Sequence, residues 1–94
     1  MSTDDDEARQ AAHGVTDLFS HGRLTAVPRR PARREQLLGY LAARLFTGGR
    51  VYTEREVNEA LATVHEDTSA LRRYLVEGGF LGRTRDGAVY QRLR

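Results

Sequence analysis

Five polar side chains on a predicted helix (67–78) and a predicted hairpin (80–92) have chemistry suited to nucleic acid. They are Ser69, Arg72 and Arg73 on the helix, and Arg83 and Arg85 on the hairpin. An arginine guanidinium can donate two hydrogen bonds to guanine O6 and N7 or clamp a phosphate, and a serine hydroxyl can bond to other base edges. The pattern predicts a helix that reads the major groove and a hairpin that contacts phosphate.

A second group of basic residues lies where another helix is expected to begin. Residues 23 to 34 contain no acid and five arginines: Arg23, Arg29, Arg30, Arg33 and Arg34. Positive charge near a helix N-terminus opposes the helix dipole, so this segment favours an anionic partner. Arg29, Arg30 and Arg33 are therefore predicted to contact phosphate. The alternative is a solvated helix start without a ligand.

The two arginines on helix 67–78 also have a structural interpretation. One of Arg72 and Arg73 would pair with an acid of the preceding helix, such as Glu56 or Glu59, and would thereby orient the two helices. If both arginines folded back in this way, little would remain to read bases. The sequence leaves both interpretations open.

Local capping and turn signals predict the elements that carry these residues. Thr53 with Glu56 forms a T-x-x-E capping box, which predicts a helix start immediately after Thr53. Asp67 is expected to cap the next helix, which ends at the glycine pair 78–79. The Asp86-Gly87 dipeptide is typical of a tight hairpin turn.

The chain upstream completes the predicted fold. Pro31 suits the first turn of a helix, and leucines recur at helical spacing as far as the glycines at 48–49. The order from this helix onward is helix, short strand (51–52), helix, helix, hairpin. A short helical turn and an extended segment precede it. The predicted fold class is mainly α with a small β-hairpin, arranged as a winged helix-turn-helix.

Composition limits the classes of function. The chain has 94 residues, no cysteine and a net charge of +2. Residues 1–12 are predicted to be a disordered acidic tail, and 13–94 a single winged-helix-like domain. No thiolate, metal-ligand spacing or catalytic motif is present, so we expect no metal, no cofactor and no enzyme activity. Without a membrane span or signal peptide, a cytoplasmic protein is expected.

Charge is unevenly distributed between the two ends. Residues 1 to 20 carry a net side-chain charge of minus four, so the remainder carries plus six. The predicted folded part is therefore basic, which favours an acidic partner.

Several motifs resemble a bacterial family. The most specific are YTEREVN and LRRYLV, and over residues 18–92 the chain that contains them resembles the family domain of unknown function 2087. Where many relatives have tryptophan in the last strand, this chain has Gln91. That family often accompanies transcription regulators, so the resemblance implies a regulatory setting. Separately, residues 67–93 are similar in pattern to the recognition helix and wing of metal-responsive repressors, whose sensing cysteines are absent here.

Two functions remain open at this point. The first is a small winged-helix protein that binds double-stranded DNA and regulates transcription. A single module of this size buries only about 600 to 1,000 Å² on DNA, so a homodimer or a regulatory protein partner is expected. The alternative is a protein-interaction or dimerisation module that does not itself read DNA.

Overall fold

A computed structural model describes residues 14–86 and 88–94, so the predicted tail 1–12 lies outside the described residues. A short 3₁₀ helix, Thr16–Leu18, is followed by three α-helices: α1 (Pro31–Leu45), α2 (Glu54–Ala62) and α3 (Thr68–Glu77). The strands are β1 (Phe19–Ser20), β2 (Arg23–Leu24), β3 (Val51–Thr53), β4 (Leu81–Arg83) and β5 (Val89–Arg92).

The expected mainly-α class is wrong. Helices account for 46% of the described residues and strands for 18%, in two small antiparallel sheets that make a compact α/β fold. Strands of two to four residues contain too little apolar–polar alternation to be recognised from the sequence. The strand content was therefore underestimated, whereas the predicted order of helix, strand, helix, helix and hairpin after residue 30 is found.

The first sheet is a hairpin that was not predicted. Phe19 pairs with Leu24 and Ser20 with Arg23, where a helical turn followed by an extended segment was expected. The two turn residues, His21 and Gly22, have φ of 53° and 79°. Positive φ at both central positions suits the right-handed twist of a two-residue hairpin, but histidine rarely adopts it. That rarity is why the sequence did not signal the turn.

Helix α1 begins without a side-chain cap. Arg30 is its N-cap residue and makes no capping hydrogen bond, while Pro31 occupies the first turn as predicted. The predicted leucine stripe faces the core, because Leu37, Leu38 and Leu41 are all buried. Helix α1 therefore packs against the core through its middle turns and leaves a basic, uncapped start at the surface.

Helices α2 and α3 begin as predicted. The Thr53 hydroxyl accepts from the Glu56 backbone N–H, and the Glu56 carboxylate accepts from the Thr53 N–H, which completes the capping box. Asp67 accepts from the Ala70 N–H at the start of α3. After α3 the chain turns through Gly79, whose φ of 78° is accessible to glycine at little cost.

The second sheet has the strand order β3–β5–β4. Tyr52 on β3 lies opposite Tyr90 on β5, and Arg83 on β4 lies opposite Tyr90 on its other side. Both tyrosines are buried, so one face of the sheet packs against the helices. This pairing places the β4–β5 hairpin beside α3.

One hydrophobic cluster includes buried side chains from all three helices and both sheets. Its largest fully buried members are Tyr90, Phe46, Leu37, Leu41, Leu61, Leu71, Leu75 and Leu81. Among residues 14–86 and 88–94, no helix is both long and apolar enough to cross a membrane.

Candidate nucleic-acid interface

A groove of about 410 Å³ opens between α3 and the β4–β5 hairpin. We call it the basic groove, and its lining residues are Ser69, Arg72, Arg73, Val76, Glu77, Arg83 and Tyr90. Four of the eight residues predicted from the sequence to contact DNA are therefore brought together at one place. The other four, Arg85, Arg29, Arg30 and Arg33, do not line it.

Helix α3 presents two distinct faces. Leu71 and Leu75 are fully buried in the core, while Ser69 and Arg73 are exposed on the opposite side. Val76 is half-buried at the groove. The helix therefore displays a hydroxyl, a guanidinium and an aliphatic group together, as its 3.6-residue periodicity predicts.

Arg72 is bonded to α2. Its guanidinium donates to the Asn58 side-chain oxygen, and its Nη2 lies 3.2 Å from Oε1 of Glu54. The Arg72 side chain is only 21% exposed. Of the two sequence interpretations, the pairing with an acid of the preceding helix is therefore the one that Arg72 adopts. Its geometry suits orienting α3 against α2 more than reaching a base.

The acids named as examples for that pairing are bonded elsewhere. Glu56 lies 3.5 Å from the Arg50 guanidinium, and Glu59 lies 3.0 Å from that of Arg55. Glu54 is the acid that meets Arg72, because Glu54 and Asn58 are one helical turn apart on the face of α2 next to α3. Helical spacing indicates this shared face, but the sequence alone does not say which neighbour it meets.

Arg73 lines the same groove as Arg72 but differs from it in exposure and in bonding partners. It is exposed, and no described carboxylate lies within ion-pair distance of its guanidinium. The guanidinium carbon lies 5.7 Å from the centroid of the Tyr74 ring, close enough for a weak cation–π contact. Arg73 therefore keeps all five N–H donors directed to solvent or to a ligand.

The hairpin presents two further arginines. Arg83 and Arg85 are both exposed, and within the described part of the chain neither forms an ion pair. Arg83 lines the basic groove, whereas Arg85 lies in the turn beyond it. Because the two residues are two positions apart, they lie close to the same end of the hairpin.

Asp86 stabilises the hairpin turn. Its Oδ1 accepts from the Thr84 hydroxyl at 2.6 Å and from the Ala88 N–H at 3.0 Å. The hydrogen bond from Thr84 is the main reason that the pKa of Asp86 lies below its usual value, and the bond from Ala88 adds to it. Gly87, the other predicted turn residue, lies outside the described residues.

The basic start of α1 adjoins α3. Arg29 and Arg30 are exposed and, among described residues, form no ion pair. The Arg34 guanidinium carbon lies 4.9 Å from the centroid of the same Tyr74 ring that Arg73 approaches. One arginine of α1, Arg34, and one of α3, Arg73, therefore approach the same aromatic ring. We define the basic surface as Arg29, Arg30, Arg73, Arg83 and Arg85.

Arg33 has an intramolecular partner instead. Its guanidinium donates to the Asp17 carboxylate, and this hydrogen bond holds the pKa of Asp17 below its usual value. Asp17 lies in the segment that precedes the first hairpin, so the pair ties this segment to the start of α1. Arg33 therefore carries less uncompensated charge than Arg29 and Arg30.

Three groove residues, Val76, Glu77 and Tyr90, were not among the predicted contacts. Glu77 adds an exposed carboxylate to the groove. Tyr90 is a buried residue that also lines it, and its hydroxyl lies 3.5 Å from Oε1 of Glu54. Glu77 follows Ser69 and Arg73 at spacings of four residues, so helical periodicity could have identified it. No comparable signal marks Tyr90, because its position depends on strand pairing.

No metal site is evident in this region. Within residues 14–86 and 88–94, no group of three or more histidine, aspartate or glutamate side chains could hold a metal ion. The chemistry available at the basic groove is hydrogen bonding and charge pairing by guanidinium groups, together with the Ser69 hydroxyl, the aliphatic Val76, the Glu77 carboxylate and Tyr90.

Comparison with known proteins identifies a family. Residues 23–92 match the model of the family described as "Uncharacterized protein conserved in bacteria (DUF2087)". Comparison with curated proteins and with solved structures found no match. The matched range covers nearly the same residues as the resemblance found in the sequence, and it includes α1, the second sheet and the basic groove. The chain therefore belongs to this bacterial family, domain of unknown function 2087.

Proposed function

We propose that this chain is a small winged-helix protein that binds double-stranded DNA as part of transcriptional regulation. In this proposal α3 enters the major groove and the β4–β5 hairpin is the wing. The observation that carries it is the basic groove, where Arg73 of α3 and Arg83 of the hairpin face one opening and neither has a described acidic partner.

The order of elements supports the winged-helix assignment. From α1 to β5 the chain runs helix, strand, helix, helix, strand, strand, and β3 joins the hairpin through β5. This pairing holds the hairpin next to α3, as a wing requires. Fold alone does not establish function, so the proposal depends on the side chains that the fold presents.

The contacts divide into two kinds. Ser69 and Arg73 are the base-reading candidates, because both are exposed on the outer face of α3 and Arg73 has its full set of donors. Arg83, Arg85, Arg29 and Arg30 contact phosphate, which positions the protein without reading sequence. Arg72 holds α3 at its angle to α2 through Glu54 and Asn58, and so acts as a positioning residue.

Salt dependence tests the proposal. The five arginines of the basic surface predict a log–log slope of binding against salt of roughly −4 to −5, at about −0.9 per phosphate neutralised. Fluorescence anisotropy with a labelled random duplex pool measures this slope. The Arg83→Ala variant should bind more weakly and reduce the slope by about one.

Arg44→Ala is the matched control. Arg44 is exposed in the last turn of α1 and lines a different groove, with Phe19 and Tyr40, so the same loss of charge occurs away from the basic groove. It should leave the slope nearly unchanged. Equal effects of Arg83→Ala and Arg44→Ala would mean that DNA binding is only a response to net charge, and the proposed docking would be wrong.

A second function is favoured by a different surface. Val51 on β3 is 55% exposed, and Leu93, just after β5, is 62% exposed. Large apolar side chains in such positions can mark a protein interface. A protein-interaction or dimerisation module would use this side of the sheet and would not need the basic groove. Absence of duplex binding at low salt would favour it.

A further inference from the structure

We propose that the acidic segment Asp4–Glu7 of this chain occupies the basic surface when no nucleic acid is bound, and so competes with DNA. This inference deepens the proposed function, because it concerns the same surface. It arises from charge complementarity, from the place where the described chain begins, and from one contact that the structure already contains.

Charge complementarity is the first argument. Residues 4–7 are four consecutive acids, Asp4, Asp5, Asp6 and Glu7. The basic surface consists of five exposed arginines that form no ion pair with a described carboxylate. The largest run of negative charge and the largest set of uncompensated positive charge therefore belong to one chain. Carboxylates and phosphates bind the guanidinium fork in the same geometry.

The position of Gly14 provides the second argument. A Cβ atom placed on Gly14 would lie 3.9 Å from the Gln36 side-chain oxygen, so the described chain begins beside the first half of α1. Glu7 is seven residues and Asp4 ten residues before Gly14. At 3.3 to 3.6 Å per residue these acids can reach about 23 to 36 Å. The described part measures 36 × 31 × 23 Å, so the reach of these acids is comparable to its dimensions.

The third argument is the bond between Asp17 and Arg33. Asp17 is the acid nearest to residues 4–7 along the described chain, and it already binds an arginine at the start of α1. This pair holds residue 17 at the start of α1, and Arg29 and Arg30 lie a few residues before Arg33 along the chain. On the same helix, the Arg34 guanidinium lies over the Tyr74 ring, and the Arg73 guanidinium lies near that ring as well.

The expected contact is weak and sensitive to salt. Exposed ion pairs contribute little individually, and charges on a surface are screened over about 10 Å at 0.1 M salt. Such a contact suits a competitor that DNA can displace. If the acidic segment occupied the basic surface in about 80% of the molecules, the apparent affinity for DNA would fall about fivefold.

A spin label tests this contact without any nucleic acid. The chain has no cysteine, so Thr3→Cys gives a single labelling site next to the acidic segment. We expect the label to broaden the backbone amide signals of Arg73, Arg83, Arg29 and Arg30 more than those of Arg44 and Arg55. The matched control carries the same label with Asp4→Asn, Asp5→Asn, Asp6→Asn and Glu7→Gln.

In that neutralised control the selective broadening should disappear, and it should also disappear in the parent near 1 M salt, where the screening length is about 3 Å. The same broadening profile in the parent and the control would overturn the inference. So would broadening that is strongest around Arg44 and Arg55.

Duplex binding separates this inference from the proposed function. At low salt the neutralised variant should bind a random duplex about fivefold more tightly than the parent, with the difference vanishing as salt rises. Selective broadening without duplex binding in either protein would support the acidic contact and contradict the DNA-binding proposal. Duplex binding of equal affinity in both, without selective broadening, would contradict only the inference about the acidic segment.

Discussion

Two adjacent arginines of α3 have opposite environments. Arg72 lies at the contact between α2 and α3, which we call the seam, and Arg73 lies at the basic groove between α3 and the hairpin. In the seam, Arg72 is largely buried and bonded to Glu54 and Asn58. In the groove, Arg73 is exposed and without a described acidic partner. One residue along the same helix thus separates a guanidinium that orients two helices from one that remains available to a ligand.

The difference shows that arginine content alone says little about binding. The groups around each guanidinium decide its role. A bonded, half-buried arginine stabilises the fold, and moving it away would leave the polar atoms of its partners without a hydrogen bond, which costs free energy. An exposed arginine contributes almost nothing to folding and is free of that cost. Substitutions in the seam should therefore change stability, and substitutions in the groove should change binding.

The largest expected effect comes from breaking the seam at Arg72. Arg72→Ala removes the partner of Asn58 and Glu54 and should lower the free energy of unfolding by about 2 kcal/mol, because hydrogen bonds to charged groups contribute about 1.5 to 3 kcal/mol. Urea denaturation measures this change. Arg55→Ala is the control, since its pair with Glu59 is exposed and should cost less than about 0.5 kcal/mol. Equal losses in the two variants would contradict the role given to the seam.

A smaller loss should follow from removing the cap at the start of α2. Thr53→Ala deletes the hydroxyl that accepts from the Glu56 N–H and should cost about 1 kcal/mol. Because the cap holds the helix turn that contains Glu54, the seam should loosen as well. Amide hydrogen exchange should then accelerate in the first turn of α2. Thr53→Ser retains the hydroxyl and should recover most of the lost stability.

In the groove, Glu77 offers a way to sharpen the comparison. Its carboxylate repels phosphate, so Glu77→Gln should strengthen binding to a random duplex pool by about threefold at low salt, corresponding to the modest value of one exposed charge. The free energy of unfolding should stay within about 0.5 kcal/mol of the parent. Anisotropy and urea denaturation measure the two quantities. Weaker binding to every sequence tested would place Glu77 in a favourable contact instead.

The smallest effect concerns pH. The hydrogen bond from the Thr53 N–H, aided by Arg50, holds the pKa of Glu56 below its ordinary value of 4.5. A carboxylate whose pKa is lowered by folding stabilises the protein at pH values above its unfolded-state pKa. That stabilisation is lost as the pH falls through its folded-state pKa. Stability of the parent should therefore fall below pH 4.5, and Glu56→Gln should flatten that part of the profile. An unchanged acid profile in Glu56→Gln would contradict this assignment.

Sequence predicted the parts of this fold that depend on local chemistry. The capping box at Thr53, the Asp67 cap and the leucine stripe of α1 are all found where expected, because each depends on residues within one or two helical turns. The same locality explains why Ser69 and Arg73, four residues apart, share the exposed face of α3. A helix fixes the relative directions of its own side chains.

The features that sequence did not predict depend on how elements meet. The acid that binds Arg72 was known only to lie on α2, since the choice of Glu54 follows from the packing of α2 against α3. The place of Tyr90 in the groove follows from strand register, and the first hairpin depends on an unusual histidine backbone. Short strands and tertiary pairing leave little trace in local composition.

The central claim is that Arg73 belongs to a binding surface and Arg72 to the fold. The most direct test is the affinity of the parent and of Arg73→Ala for a labelled duplex pool at low salt, together with urea denaturation of both. We predict unchanged stability and a loss of affinity between about fivefold and 150-fold, the range expected for one arginine contact to DNA. Equal affinity of the two proteins, or no binding by the parent, would contradict the claim.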